Sequence, residues 1–220
     1  MSRRLPPTEL FDLASFGHAE LFAGIENCWE ALGKTLAAYL SARLARQIRG
    51  EVAEGAYIVG DDIEIGEGTV VEPGAYIQGP AIIGKDCEIR HGAYVRGQVV
   101  IGDGCVVGHA TEIKSSIMLD GAKAGHFAYI GDSILGNHVN LGAGTKLANF
   151  KLSGDEVVLS IDGERVPTGM RKLGALLGDG VQTGCNSVTS PGTFLGKKTF
   201  VFPCVSVRAG FYPSGSRLKR

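Results

Sequence analysis

Two sets of residues at one recurring separation carry most of the chemistry available to this chain. Arg96 and Lys114 lie 18 positions apart, His91 and His109 repeat that interval, and His126 follows 17 later. If one turn of a coiled chain takes about 18 residues, such positions stack on neighbouring turns, about 4.8 Å apart. Two stacked cations repel each other unless an anion or an acidic side chain lies between them, so Arg96 and Lys114 form a candidate phosphate clamp. The competing reading makes both solvated surface charges paired with Glu112 or Asp132. Imidazole titrates close to neutral pH, so a histidine column can supply a proton acceptor or metal ligands. For His91, His109 and His138 the structural reading is favoured. His126 stands apart because the regular spacing of the chain slips around it, and departures from a repeat often mark functional ground.

The elements that must position these residues are visible in the apolar pattern. Ile65, Val71, Ile77, Ile83, Ile89, Val95, Ile101, Val107, Ile113 and Leu119 fall at intervals of six, most followed by glycine or another turn-compatible residue. Six is neither the helical period nor strand alternation, and it points to a solenoid of short strands separated by regular corners. Two shorter steps between Gly125 and Leu135 interrupt the frame, which resumes at Leu135, Leu141 and Leu147. A second block runs through Leu177, Thr183, Thr189, Leu195, Val201 and Val207. Between the blocks lies an excursion, residues 150–176, in which Val157 to Ile161 and Glu164 to Val166 flank Asp162-Gly163 and predict a small hairpin. Upstream, Leu21, Phe22, Ile25, Trp29, Leu32, Leu36, Leu40, Leu44 and Ile48 recur at three or four residues and predict an amphipathic helix, or a broken pair, capping the open end of the first coil. The expected organisation is a helical cap over residues 1–50 and a solenoid over 51–220, ending in a mobile basic tail from Ser214 to Arg220.

Composition narrows the function classes. The 33 glycines suit repeated tight turns, and the formal charge of −1 gives no general attraction to nucleic acid or an acidic membrane, so any anion site must be local. No stretch is long and apolar enough to span a bilayer, and residues 1–7 lack the apolar core of a secretory signal, so a cytoplasmic location is expected. The five cysteines show no CxxC spacing. Cys87 and Cys105 share a frame with Thr69, Ala75, Ala81, Ala93, Val99 and Thr111, where small side chains point inward beneath a corner; they read as reduced, buried hydrophobes.

The aliphatic-Gly-x-x-small-x pattern resembles the hexapeptide-repeat acyltransferases. That resemblance implies a left-handed parallel β-helix of triangular section, an all-β solenoid of seven or eight coils here, with an N-terminal α-helical cap and an extruded hairpin. More specifically, Glu112-Ile113-Lys114, Lys123-Ala124-Gly125-His126, Ala128-Tyr129-Ile130-Gly131-Asp132 and Asn140-Leu141-Gly142-Ala143-Gly144-Thr145 resemble the C-terminal acetyltransferase domain of the bifunctional N-acetylglucosamine-1-phosphate uridyltransferase. Arg171-Lys172-Leu173-Gly174 and Gly184-Cys185-Asn186 extend the likeness to the β-helical part of related sugar-nucleotide pyrophosphorylases. No Gly-rich nucleotide loop opens the chain, so uridylyl transfer is not expected.

The resemblance implies an acetyl-CoA-dependent N-acetyltransferase acting on an amino-sugar phosphate, with glucosamine-1-phosphate as leading acceptor and galactosamine-1-phosphate next. It assigns His126 as the base, Arg96 and Lys114 to the sugar phosphate, Tyr129 and Asn140 to the amino sugar, Asn149 to the neighbourhood of the acceptor amine, and Ala143 to the acyl donor. It further implies a homotrimer with sites between prisms, and no tightly bound metal. The usual Asn-Tyr-Asp-Gly is replaced by Asn149-Phe150-Lys151-Leu152, which makes the acceptor less secure than the reaction. Arg171, Lys172, Arg217, Lys219 and Arg220 could meet phosphates of coenzyme A or a nucleotide sugar. The rival readings are another hexapeptide O- or N-acyltransferase of sugars or nucleotide sugars, a non-catalytic assembly or sensing module, and an intersubunit zinc hydratase of the kind found among hexapeptide-repeat carbonic anhydrases.

Overall fold

Apolar hexads that alternate with left-handed turn positions leave each strand only two to four residues long, so no strand buries much by itself and stability must come from stacking. The computed structural model, which describes residues 4–43, 46–161 and 163–219, shows that stacking. Three parallel sheets form the walls of a prism, with nine strands on face A, nine on face B and eight on face C. The chain passes A, B, C in each coil, as in Val99–Ile101, Val106–His109 and Glu112–Lys114. Nine strands on two walls exceed the seven or eight coils expected, because the helix ends by Arg43 and the solenoid begins with Gln47–Ile48, ahead of the predicted start at Val52.

The interior is a column of Ile, Val, Leu and small residues, with Ile65, Ile83, Ile101, Val107 and Ile113 fully buried. Beneath the corners, small polar side chains satisfy corner carbonyls: Thr69 Oγ1 donates to Gly84 O at 2.7 Å, and the Cys87 and Cys105 thiols donate to Gly102 O and Leu119 O, each at 3.1 Å. Cys87 and Cys105 are buried thiols, as their frame predicts, and Cys28 of the N-terminal segment is buried as well.

The register corrects the expected position of the slip. Val99 pairs with Ser116 and Ile101 with Met118, a step of 17 rather than 18. Met118 therefore takes the inward place after Ile113, while Leu119 joins a second cluster outside the prism. Ile130 to Leu135 makes the second short step.

That outer cluster explains the N-terminal segment, which lies along face A and not over the open end of the first coil. Face A strands carry three apolar residues in succession, such as Ala81-Ile82-Ile83 and Ala175-Leu176-Leu177, so both of their surfaces must be buried. Ile82, Val100, Ile117, Ile134, Leu176 and Phe194 face outward and are covered by Leu10, Phe11, Phe16, Leu21, Trp29, Leu36 and Leu40 from the N-terminal segment. Each such side chain contributes roughly 2 kcal/mol through burial. The segment comprises a one-turn helix, Pro7–Leu10, two 3-10 turns, Ala19–Phe22 and Cys28–Ala31, and the longer helix Lys34–Arg43, and Leu44 of the predicted periodicity lies outside the described residues. Asp12 N–H reaches Asp179 Oδ2 at 2.7 Å and Asn137 Nδ2 reaches Asp12 O at 2.7 Å, pinning the wrap to the border of faces A and B.

The predicted hairpin forms, with Val158–Ile161 antiparallel to Glu164–Pro167. Its turn residue Asp162 is outside the described residues, and Gly163 has φ +84°. Val157, Leu159, Ile161 and Val166 complete the cover of face A. The basic tail is not loose: Arg217–Leu218 forms the last strand of face B, paired with Phe200–Val201, because Leu218 packs against the interior; Arg220 is outside the described residues.

Candidate active site

With face A covered, faces B and C and the corner between them carry the accessible chemistry. Strand Val106–His109 pairs with Lys123–His126, which places His109 opposite His126. The His91 and His109 rings stack at 5.7 Å with planes 7° apart, so two members of the predicted column stack, whereas the ring contact of His126 is with Phe127. Their Nδ1 atoms are engaged by carbonyls, His91 with Pro73 O at 2.7 Å and His109 with His91 O at 3.1 Å, which suits structural roles. His126 is exposed, and among the described residues no side chain or carbonyl hydrogen-bonds its ring, so the imidazole is available to a substrate proton.

His126 borders a groove of about 360 Å³ that runs along face B to the corner with face C, and Asn140 and Ala143 line it too. Gly125 forms part of the floor: a Cβ there would have only Arg90 Nη1 nearby, at 3.9 Å, so the missing side chain leaves open space. Lys123 and Arg90 border the same groove, Arg90 being paired with Glu88 at 2.7 Å.

The other predicted residues gather elsewhere, where face C meets face A. Arg96 and Lys114 stack as their spacing predicts and together line a depression of about 370 Å³. Each cation has a carboxylate of its own: Arg96 with Glu112 at 2.6 Å, and Lys114 with Asp132 at 2.7 Å. The clamp is thus neutralised in the free chain, by the two acids named in the competing reading. Lys114 and Asp132 are 15% and 14% exposed, so this pair is poorly screened, whereas Arg96 and Glu112 are open to water. Asn149, buried, donates through Nδ2 to Asp132 Oδ2, and Tyr129 OH donates to Asn149 Oδ1 at 3.4 Å. Burial pushes the Tyr129 phenol above its ordinary range, against the opposite pull of the Lys114 ammonium.

One chain therefore divides the seven predicted residues. His126, Asn140 and Ala143 share the face B groove; Arg96, Lys114, Tyr129 and Asn149 share the far edge of face C. Within a single prism these are two separate concavities. The groove and the polar edge both lie on walls that the N-terminal wrap leaves uncovered.

Phe127 was not singled out by the sequence reasoning. It sits in the left-handed region at φ +36°, between Ala110 at φ +50° and Gly144 at φ +73° on the adjacent coils, and it is 52% exposed beside His126, ring centroids 6.3 Å apart. A bulky side chain held there costs on the order of 1 kcal/mol or more, and such strain concentrates at functional sites. The missed signal was a bulky aromatic residue at a corner position that other coils fill with glycine or a smaller side chain, such as Gly92, Ala110, Gly144 and Asn186.

The comparisons with known proteins bear on the family likeness and the fold. The GMPPB C-terminal domain family matches residues 77–170. The bifunctional sugar-1-phosphate nucleotidylyltransferase/acetyltransferase of Sulfurisphaera tokodaii is 40% identical over 92 residues, which are 42% of this chain and 23% of that protein. Bifunctional protein GlmU of Methanococcus maripaludis is 40% identical over 90 residues, 41% of this chain and 22% of its own length. The resemblance to sugar-nucleotide acetyltransferase domains holds. The chain matches less than a quarter of the length of these relatives. Among solved structures, the UDP-N-acetylglucosamine acyltransferase of Francisella novicida aligns with TM-score 0.51 at 18% identity, over 73% of this chain and 62% of that one. That likeness bears out the left-handed parallel β-helix. No helix among the described residues is long and apolar enough to cross a membrane.

Proposed function

We propose that this chain is an acetyl-CoA-dependent N-acetyltransferase of an amino-sugar phosphate, with glucosamine-1-phosphate the leading acceptor and galactosamine-1-phosphate the next. The observation that carries the reading is the groove in which an exposed, unengaged His126 meets Ala143 and the bare backbone of Gly125. Such a floor accepts a slender pantetheine arm, and Lys123 and Arg90 lie where anionic groups of the donor would be met. The acetyl thioester supplies the electrophile, and this chain supplies the proton acceptor. As the acceptor nitrogen forms its bond to the acetyl carbon, His126 takes the amine proton; the C–S bond then breaks and the thiolate leaves, taking up a proton to become free coenzyme A. Backbone N–H groups of the corner stabilise the oxyanion in between.

The polar edge of a neighbouring copy provides the acceptor half of this site. A sugar phosphate arriving there competes with Glu112 and Asp132 for Arg96 and Lys114, while Tyr129 and Asn149 offer a hydroxyl and an amide to the sugar. This arrangement supports a homotrimer of side-by-side prisms, working in the cytoplasm where acetyl-CoA is at hand. Incubating the protein with acetyl-CoA and a panel of amino-sugar phosphates, and following thiol release, tests the proposal. Release dependent on glucosamine-1-phosphate or galactosamine-1-phosphate is the expected result. Release without any acceptor, or sugar-phosphate binding without release from the whole panel, overturns it, and the second outcome favours the sensing module.

A further inference from the structure

A concavity of about 500 Å³ lies away from both halves of the candidate site, between the N-terminal wrap and the excursion. Lys34 enters it from the wrap, and Arg171 and Lys172 enter from the excursion. The one carboxylate on its lining, Glu30, has its oxygens engaged by Glu26 N–H at 3.1 Å and Asn27 Nδ2 at 2.8 Å. Three cations against one acid leave the cleft with two net positive charges on a chain whose overall charge is −1. Arg171 is held in place, with Nε donating to Gly154 O at 3.2 Å and its guanidinium 6.0 Å from the Phe150 ring centroid. Between the cations, Trp29, Leu32 and Met170 give the cleft an apolar floor, and Met170 Cε closes over Gly33.

We propose that this cleft binds a nucleoside diphosphate. The volume falls within the range of small-molecule sites, and two converging patches of different chemistry call for a ligand with two parts. Vicinal phosphates match cations brought from two walls; a flat apolar base matches the floor, which inorganic phosphate alone would leave wet. The site owes nothing to His126 or to the polar edge of face C, so it stands independently of the acetyl-transfer reading. Arg171 and Lys172, which the sequence left between phosphate ligands and solvated loop charges, find their use here.

Trp29 is the chain's single tryptophan and lies on the floor of the cleft, so its fluorescence reports occupancy. Titration of the intact protein with ADP and with UDP should give a saturable change at concentrations below about 1 mM. Adenosine and inorganic phosphate should each bind at least about tenfold more weakly, as should ADP to Arg171→Gln/Lys172→Gln, and raised salt should weaken ADP binding. Lys34→Gln approaches from the opposite wall and leaves the loop bonds of Arg171 intact, so its loss of about tenfold in affinity guards against a loop that merely loosens. Absence of saturation, unaltered binding by Lys34→Gln, or coenzyme A binding there more tightly than either nucleoside diphosphate overturns the proposal, the last by assigning the cleft to the acyl donor.

Discussion

His18 and His126 occupy opposite sides of the same prism and show what the wrap does to a side chain. His18 sits where the N-terminal segment closes on face A, its Nδ1 2.8 Å from Tyr39 OH and its ring edge-on to Phe16 and Tyr39. His126 sits on the bare corner of faces B and C, exposed, with the face B groove beside it. Residue type is the same in both places. Cover decides whether an imidazole serves the fold or remains available to a substrate, and the two can be separated by experiment.

Replacing His126 should give the largest effect. His126→Ala is expected to lower acetyl transfer at least about 100-fold, equivalent to ~2.7 kcal/mol in the barrier, with melting unchanged. Near-normal turnover measured by thiol release would remove His126 from the chemistry. Next comes the partly buried Lys114–Asp132 pair on the far edge of face C. Asp132→Ala leaves the Lys114 ammonium without its partner and Asn149 without an acceptor, and should destabilise the chain by about 3 kcal/mol in denaturant melts. The same change to Glu112, whose pair with Arg96 is water-exposed, should cost less than about 1 kcal/mol. Equal costs would erase the distinction between a load placed in the fold and one left on the surface. Gly125→Val sharpens the groove side: the new side chain fills open space, so KM for acetyl-CoA should rise about tenfold, ~1.4 kcal/mol, while stability holds. An unchanged KM would move the donor out of this groove.

The prism was legible in the sequence because its interior repeats itself. Ile65 through Ile113 specify inward positions six apart, and the hairpin around Gly163 declares itself by its turn residues. Face A was harder, although its signal was present: Ala81-Ile82-Ile83 and Val99-Val100-Ile101 are apolar on both sides of the strand, which an exposed wall would not tolerate. Only a partner from elsewhere in the chain relieves that, and periodicity within the N-terminal segment says it has an apolar face without saying where it docks. Leu119 shows the same limit, since its spacing fits the inward frame while a one-residue shortening before Met118 turns it outward. For the site, stacking was readable from intervals of 17 and 18, which bring Arg96 to Lys114 and His109 to His126. Which edge of a wall each pair occupies depends on where the corners fall, and spacing alone does not reveal it. The separation of His126 from Lys114 across face C therefore emerges only in three dimensions, as does the neutralisation of both cations.

The smallest effect belongs to the covered histidine and is read through pH. Burial holds the His18 imidazole below its ordinary pKa of 6.5; Arg43 pushes the same way, and Glu64, Asp103 and Asp120 pull it back up. In the unfolded chain this imidazole takes a proton as pH falls through about 6.5, whereas the folded chain resists until lower pH. The unfolded state then binds more protons, so stability from this group is complete above 6.5 and declines as pH drops toward the folded value, with a slope of at most ~1.4 kcal/mol per pH unit. Asp120 acts with opposite sign in the lower carboxylate range, because burial pushes its carboxyl up, so the His18 window must be isolated by substitution. Melting His18→Phe alongside the parent chain across pH 5 to 8 should flatten the decline near neutrality while acetyl transfer at pH 8 stays at the parent rate. If His18→Phe keeps the parent's pH slope, the wrap is not what holds that imidazole neutral; if it loses acetyl transfer instead, the covered and open sides of the prism are coupled and the contrast between the two histidines fails.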